Sequence, residues 1–467
     1  MDALESRAVS LQASIDKMRG EGVPEIAIRT FAAFYERLVS GEQGMLPESE
    51  IEAVTDVADA AQLPEPDAEG RAALDRAIVL KLNGGLGTSM GMTQAKSLLE
   101  VKDGLSFLDI IARQVLYARE RYGARLPLVL MNSFYTREDS LAALERYPGL
   151  PADVPLDFVQ DKVPKLRADD LAPVEWPADP ELEWAPPGHG DLYTALVVSG
   201  MLEELLQAGY EYAFVSNSDN LGAVLEPRIL AWFARERLPF AMEVAERTEA
   251  DRKGGHLARR RGGGLVLRET AQTPDSDTAD FHDLSKHRFF NTNSLWVDLR
   301  TLQETMRERD GVLGLPMIVN RKTVDPGDSQ SPRVIQLESA MGAAIGVFEG
   351  AQALRVSRRR FAPVKTTNDL LALRSDAYVL TDDQRVELAP ARGGTPPFVE
   401  LDSRFYKLVR DFDERFAAGA PSLVECRRLA VAGDVAFGRG VVVRGDVRVE
   451  HDGEGRLRIE DGAVLEG

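Results

Sequence analysis

Cysteine is almost missing from this chain: Cys426 is the only one in 467 residues. No disulfide can close within it, and a reducing compartment is expected. With five histidines and that lone cysteine, no zinc-type Cys/His spacing exists. Long apolar runs are missing as well, none approaching the ~20 residues of a membrane-spanning helix. The opening Met1-Asp2-Ala3-Leu4-Glu5-Ser6 lacks the basic and apolar regions of a signal peptide. A soluble, cytoplasmic protein is expected. Positive charge is in deficit, with 56 Lys and Arg against 75 Asp and Glu, net −19. A field of that sign repels phosphate backbones and argues against a general nucleic-acid or membrane-surface partner. Any phosphate site must be a local pocket built from loops and a few lysines.

What is present is ordinary for a globular protein: 44% hydrophobic and 28% charged residues. The length exceeds what one compact core holds, so two or three domains are expected. Residues 1–60 carry helical periodicity, as in Ile26 to Tyr35, and Leu63-Pro64-Glu65-Pro66-Asp67 breaks it. That places a helical segment at 1–70. From 71 to 385, strand-like runs (Ala77 to Leu80, Leu126 to Met131, Tyr212 to Ser216, Phe240 to Val244, Ser294 to Val297) alternate with helix-like stretches. Such alternation predicts an α/β domain with a largely parallel sheet. In 386–467, Leu401 to Phe416 reads as an amphipathic helix. Leu429 to Val447 then repeats short β runs with Gly-Asp turns, consistent with two or three hexapeptide coils of a β-helix or with an antiparallel hairpin.

The most informative segment is Lys81-Leu82-Asn83-Gly84-Gly85-Leu86-Gly87-Thr88-Ser89-Met90-Gly91, with Lys96 just beyond. Four glycines in eight residues, directly after a buried strand, let the backbone turn tightly and approach a ligand. Free N–H groups can hold phosphate oxygens, and Lys96 adds a point charge to the same anion. A phosphate loop of the GxxxxGK[ST] type would carry Lys next to its second Gly, and a dinucleotide fingerprint leaves Gly84, Gly91 and Lys96 unexplained. A nucleoside triphosphate is the expected ligand; a plain strand-to-helix turn is the alternative.

Other segments add groups of the same kind. Gln160 ends a strand with an amide that can read a base edge. His189 lies between Gly188 and Gly190, just before the helix start at Leu192, a setting suited to a second phosphate. Asp219, flanked by amides in Asn217-Ser218-Asp219-Asn220, follows a strand and is the best single candidate to hold a divalent cation; an Asx turn or helix cap is the other reading. The loop-like segments Lys253 to His256 and Phe289 to Asn293 offer small or amide groups to sugar hydroxyls. The basic runs Arg259 to Arg261 and Arg358 to Arg360 read as solvated faces.

Taken together, KLNGGLGTSMG (81–91), AKSLLEVKDG (95–104), PPGHGDLYTAL (186–196), VSNSDNLGA (215–223), KGGHLAR (253–259), SKHRFFNTNSLW (285–296), QLESAMGAAI (336–345) and RFAPVKTTNDLLALRSDAY (360–378) closely resemble the UTP–glucose-1-phosphate uridylyltransferase family of the eukaryotic kind. They span about 75 to 380, in the family's order. The resemblance implies a Rossmann-like, GT-A-like nucleotidyltransferase sheet, mixed and flanked by helices, with a helical N-terminal segment and a small C-terminal left-handed β-helix. It also implies that Leu82, Gly84 and Gly85 line the uridine and ribose, that Gln160 pairs with uracil with Met131 nearby, and that Lys96 holds the triphosphate. Gly188 and His189 are implied at the nucleotide and glucose phosphates, Asp219 at Mg²⁺, Asn217, Gly255 and Asn291 at the sugar, and Lys365 between the two reacting phosphates. One departure is Gln94-Ala95-Lys96, where many relatives carry Gly-Pro-Lys.

The implied reaction joins UTP and glucose 1-phosphate to give UDP-glucose and pyrophosphate, with Mg²⁺ as cofactor and no general base, because the attacking phosphate is already ionised. The chain is expected to be a monomer or a homo-oligomer through its C-terminal domain. The rival readings are a pyrophosphorylase for UDP-N-acetylhexosamine or for several UDP-sugars, a non-catalytic nucleotide sensor, and a dinucleotide-dependent oxidoreductase.

Overall fold

The strand Ala77–Asn83 is buried along its whole length and forms the middle of the molecule. In the computed structural model, which describes residues 3–467 apart from 43, 249, 250, 252 and 253, it pairs in parallel with Tyr212–Asn217 on one side and Leu128–Asn132 on the other. The large sheet runs Ala58–Asp59, Gln352–Arg355, Phe240–Glu246, Phe289–Asp298, Tyr212–Asn217, Ala77–Asn83, Leu128–Asn132, Asp157–Val159. Along this row only Phe289–Asp298 is antiparallel to its neighbours, so the sheet is mixed. Strands buried on both faces read as continuous apolar runs, which is why Ala77-Ile78-Val79-Leu80 was legible. Helices cover both faces, among them Phe107–Tyr122, whose Ser106 caps the Asp109 N–H at 3.1 Å.

Before this domain, Ala3–Gly20 and Glu25–Val39 form a helical pair, with Ile28, Phe31 and Tyr35 buried against Leu166, Ile335 and Leu337. The helical character ends there. Ile51–Ala53 and Ala58–Asp59 are strands that join the large sheet, so the sequence boundary at 70 cuts across it. Leu401 to Phe416 is also not one helix. Phe398–Leu401 is a strand, followed by short helices Ser403–Tyr406 and Val409–Arg415.

Beyond it the strands stack in parallel: Phe398–Leu401 on Cys426–Ala432 on Val442–Glu450 on Val464–Glu466, with Val435–Phe437 on Leu457–Ile459. An antiparallel hairpin is thereby ruled out. At one corner Gly433 has φ 100°, and a Cβ there would stand 2.0 Å from the His451 carbonyl of the next layer. Among the described residues no helix is long and apolar enough to cross a membrane.

One charge pair lies inside the core. Arg360 donates to Glu243 through Nε and Nη2, both at 2.7 Å, and Trp296 Nε1 donates to the same carboxylate at 3.0 Å. Glu243 is fully buried, so the last arginine of the 358–360 run is a core anchor rather than a solvated side chain. Glu243→Met leaves Arg360 charged and unpaired and is expected to cost about 3–5 kcal/mol of stability. Urea unfolding at equilibrium checks this; a loss under 1 kcal/mol contradicts it.

Candidate nucleotide and sugar-phosphate site

Register lines the strand ends up. Asn217 pairs with Leu82, Leu82 with Met131, and Met131 with Phe158, two residues before Gln160. The C-terminal edge of the parallel strands therefore presents one row of groups, the place where open α/β sheets bind ligands. Leu82 is nearly buried; Met131 is covered, at 2% exposure, and belongs to the apolar layer under the cleft. Behind the row, Lys81 is buried and gives its ammonium to Ser216 Oγ and the Ala223 carbonyl, both at 2.7 Å. Burial pulls it down to about 7.

The glycine loop leaves this edge with Gly87 and Gly91 in the left-handed region, φ 67° and 74°, conformations that are strained for other residues. Two short 3₁₀ turns follow, Thr88–Met90 and Lys96–Leu98, where a plain strand-to-helix turn would run into a longer helix. Gly84 packs on the Gln160 amide, and its carbonyl accepts from Ser133 Oγ at 3.0 Å. Gly85 faces open space, and its carbonyl accepts the Lys96 N–H at 2.9 Å. Ala95 has φ −52°, within the range a proline ring imposes. The loop thus keeps, at Ala95, the backbone geometry that a proline would impose.

Lys96 Nζ lies 2.7 Å from Asp219 Oδ2, both side chains partly exposed. Asp219 in turn accepts the Val364 N–H on its backbone carbonyl at 3.2 Å, which brings Lys365 one residue from it. Asn220 clamps the same strap, accepting from Ala362 N at 2.9 Å and donating to the Arg360 carbonyl at 3.1 Å. Lys365 itself is exposed, and Asp369 fixes its backbone by accepting its N–H at 2.9 Å. The Lys96 ammonium thereby meets the Asp219 carboxylate while the Lys365 strap is tied to the Asp219 backbone carbonyl, in a chain of net charge −19. This is the local positive pocket that the overall charge demands.

Gly188, at φ 80°, has no room for a side chain: a Cβ would lie 2.4 Å from the Ser339 carbonyl. The tight approach brings His189 under the Met341 N–H, which donates to Nδ1 at 3.0 Å. That bond leaves the proton on Nε2. The ring is open to the cleft yet hemmed in by protein, and this desolvation holds its pKa down to about 4. At neutral pH His189 is an uncharged N–H donor.

Beside it, the Asp161 N–H donates to Asp191 Oδ2 at 2.7 Å, tying the Gln160 strand end to the Gly188 turn. Burial raises both carboxyls, Asp161 to about 6, and the Asp161 charge raises Asp191 further. A folded value above the ordinary 3.8 means that Asp161's contribution to stability is full below that pH and is lost as pH rises through about 6. Asp161→Asn is therefore expected to grow more stable relative to the parent as pH rises from about 4 to about 6. Melting temperatures at successive pH values check this, and a pH-independent difference contradicts it.

On the antiparallel side, Asn291 N donates to the Gly255 carbonyl at 3.2 Å. Lys253, three residues from His256, lies outside the described residues. Asn291 is not in a loop, as its sequence suggests, but in the strand Phe289–Asp298. The register against Phe240–Glu246 slips between Glu243 and Val244, so Thr292 and Asn293 bulge out, Asn293 with φ 56°. Bulges of this kind re-aim the neighbouring side chains. Sequence reading missed Glu269, whose carboxylate packs against Gly255, where a Cβ would lie 2.4 Å from its Oε2. Burial raises its pKa and the Lys365 charge opposes that shift. No local signal marks Glu269; it reaches the site through the pairing of His256–Arg260 with Leu265–Arg268.

A parallel sheet edge, a glycine loop closed by a lysine on Asp219, and a second lysine on a strap tied to the same residue's backbone define a nucleotidyltransferase of the α/β class. The model of the UTP–glucose-1-phosphate uridylyltransferase family matches residues 28–444. A UTP–glucose-1-phosphate uridylyltransferase of Solanum tuberosum is 42% identical over 436 residues, covering 92% of this chain and 89% of its own. A probable one from Schizosaccharomyces pombe is 41% identical over 395 residues, covering 84% and 76%. Among solved structures, a mutant UDP-glucose pyrophosphorylase from Leishmania major in complex with UDP-glucose superposes with a TM-score of 0.92 at 49% identity, over 98% of both chains. A Trypanosoma brucei protein described as a UDP-glucose phosphorylase gives 0.90 at 46%, again over 98% of both. The chain belongs to the UTP–glucose-1-phosphate uridylyltransferase family.

Proposed function

We propose that this chain transfers the uridylyl group of UTP to glucose 1-phosphate, releasing pyrophosphate and forming UDP-glucose. The observation that carries the reading is the meeting of Lys96 and the Lys365 strap on Asp219, at the open end of the sheet. In this reading Leu82, Gly84 and Gly85 hold the nucleoside, with Gln160 against uracil and Met131 below. Gly188 and His189 donate to the phosphates. Asn217, Gly255 and Asn291, with Glu269, take the sugar hydroxyls.

A phosphate oxygen of glucose 1-phosphate forms a bond to the α-phosphorus of UTP while the bond from that phosphorus to the bridging oxygen breaks, and pyrophosphate leaves with the electron pair. No proton moves, so no base is needed. Lys96 lies against the triphosphate and Lys365 between the reacting groups, which offsets the repulsion of two anions and stabilises charge in the transition state. Neutral His189 donates without adding a titration near pH 7.

Mg²⁺ fits the donor set. Asp219 supplies one carboxylate beside Asn217, and among the described residues no group of three or more His, Cys, Asp and Glu could hold a metal without the substrate. Mg²⁺ ordinarily takes one or two carboxylates plus substrate phosphates, and when bound it neutralises phosphate charge. The parallel stack after Phe398, with glycine corners such as Gly433, supports a left-handed β-helix. A single buried cysteine fits a cytoplasmic location.

Incubation with UDP-glucose, pyrophosphate and Mg²⁺ tests the reading in reverse. UTP and glucose 1-phosphate are expected, with UDP-glucose preferred over UDP-N-acetylglucosamine. The opposite preference moves the assignment to a sister pyrophosphorylase.

A further inference from the structure

A buried charge cluster lies behind the sugar side of the cleft, and its centre comes from the N-terminal region. Glu48 accepts from Arg268 Nη1 at 2.6 Å, Lys286 Nζ at 2.7 Å and His287 Nε2 at 3.1 Å. Its own N–H donates to Asp277 Oδ2 at 2.6 Å, and that oxygen accepts Arg268 Nη2 at 2.9 Å, closing a ring of bonds. Arg268 and His287 have no exposed surface. His287 stacks on the equally buried His256 at 3.8 Å between ring centres.

The residues held this way are the neighbours of two proposed sugar contacts. His256 follows Gly255, Arg268 precedes Glu269, and His256 and Arg268 pair directly across the hairpin. The segment around Glu48 is stitched to that hairpin on both sides. Leu46 N donates to the Gln272 carbonyl at 2.7 Å, while the Gln272 side chain accepts the Glu269 N–H at 2.9 Å. Ile51–Ala53 pairs antiparallel with Ala258 to Arg260.

We infer that Glu48 is a positioning residue for the sugar side of the active site: the segment 46–53 straps the hairpin, and the Glu48–Arg268–Asp277 ring sets where Gly255 and Glu269 stand. The inference rests on the proposed role of Gly255 and Glu269. It touches no residue of the nucleotide side, because the glycine loop, Gln160 and His189 are held by other bonds. A largely covered anchor held by several bonds fixes first-contact groups to fractions of an ångström, and small misplacement costs far more than the lost bond.

The test is steady-state kinetics of Glu48→Gln, varying glucose 1-phosphate and UTP separately, with galactose 1-phosphate as competitor. The KM for glucose 1-phosphate is expected to rise on the order of ten-fold while the KM for UTP stays within about two-fold, and discrimination against galactose 1-phosphate narrows. Glu48→Asp is expected to fall between. Should Glu48→Gln fail to fold, Asp277→Asn, which weakens the same ring from its other side, carries the same expectation. Equal rises in both KM values, or an unchanged sugar KM in a folded variant, overturn the inference. Glu269→Ala run alongside separates the two layers. If it leaves the sugar KM unchanged, the sugar-contact reading fails; if it raises it while Glu48→Gln does not, only the positioning role fails.

Discussion

Lys365→Ala is expected to lower kcat on the order of 10²–10⁴-fold with little change in the KM for UTP, as when a preorganised charge that acts in the transition state is removed. The geometry argues for a kcat effect. Lys365 is exposed and, among the described residues, holds no ion pair; its place is set by the Val364 bond to Asp219, the Asn220 clamp and the Asp369 cap. The backbone of the strap survives the substitution, so what is lost is a charge at the mouth of the cleft. Lys365→Arg keeps charge but spreads it over a wider plane and is expected to recover part of the rate. Separate measurement of kcat and both KM values checks this, and a near-parental kcat in the alanine variant contradicts the proposed mechanism.

The second large effect is expected from Asp219→Asn, a kcat loss on the order of 10³-fold. Asparagine keeps the shape and the backbone carbonyl that accepts Val364, so the Lys365 strap stays. It removes the negative partner of Lys96 and the one carboxylate that the proposal gives to Mg²⁺. If that role is right, the Mg²⁺ concentration for half-maximal rate rises along with the fall in kcat. A rate that drops without any shift in metal dependence would leave Asp219 as a partner of Lys96 alone.

Much of this was legible in the sequence because the informative features were local. Buried parallel strands show as apolar runs, the loop shows as glycines around Lys96, and Asp219 follows directly on a strand. What escaped depended on pairing between distant segments. Glu269 reaches the cleft only through hairpin register. Arg360 looks like one of three solvated arginines until Glu243, on another strand, is placed beneath it. Phe289 to Asn293 reads as a loop because its amides and bulge break the strand alternation. Leu401 reads as helix since a short apolar run cannot by itself separate helix from strand. Ile51 to Ala53 lies among helical residues in sequence but completes the sheet edge in space.

The central claim is uridylyl transfer to glucose 1-phosphate, and one assay addresses it directly. Purified protein with Mg²⁺ and UTP is given glucose 1-phosphate, galactose 1-phosphate or N-acetylglucosamine 1-phosphate, and pyrophosphate release is followed. The account predicts fast release with glucose 1-phosphate and little with the others. Tight UTP binding with no pyrophosphate from any sugar phosphate would contradict it and leave a nucleotide sensor in its place.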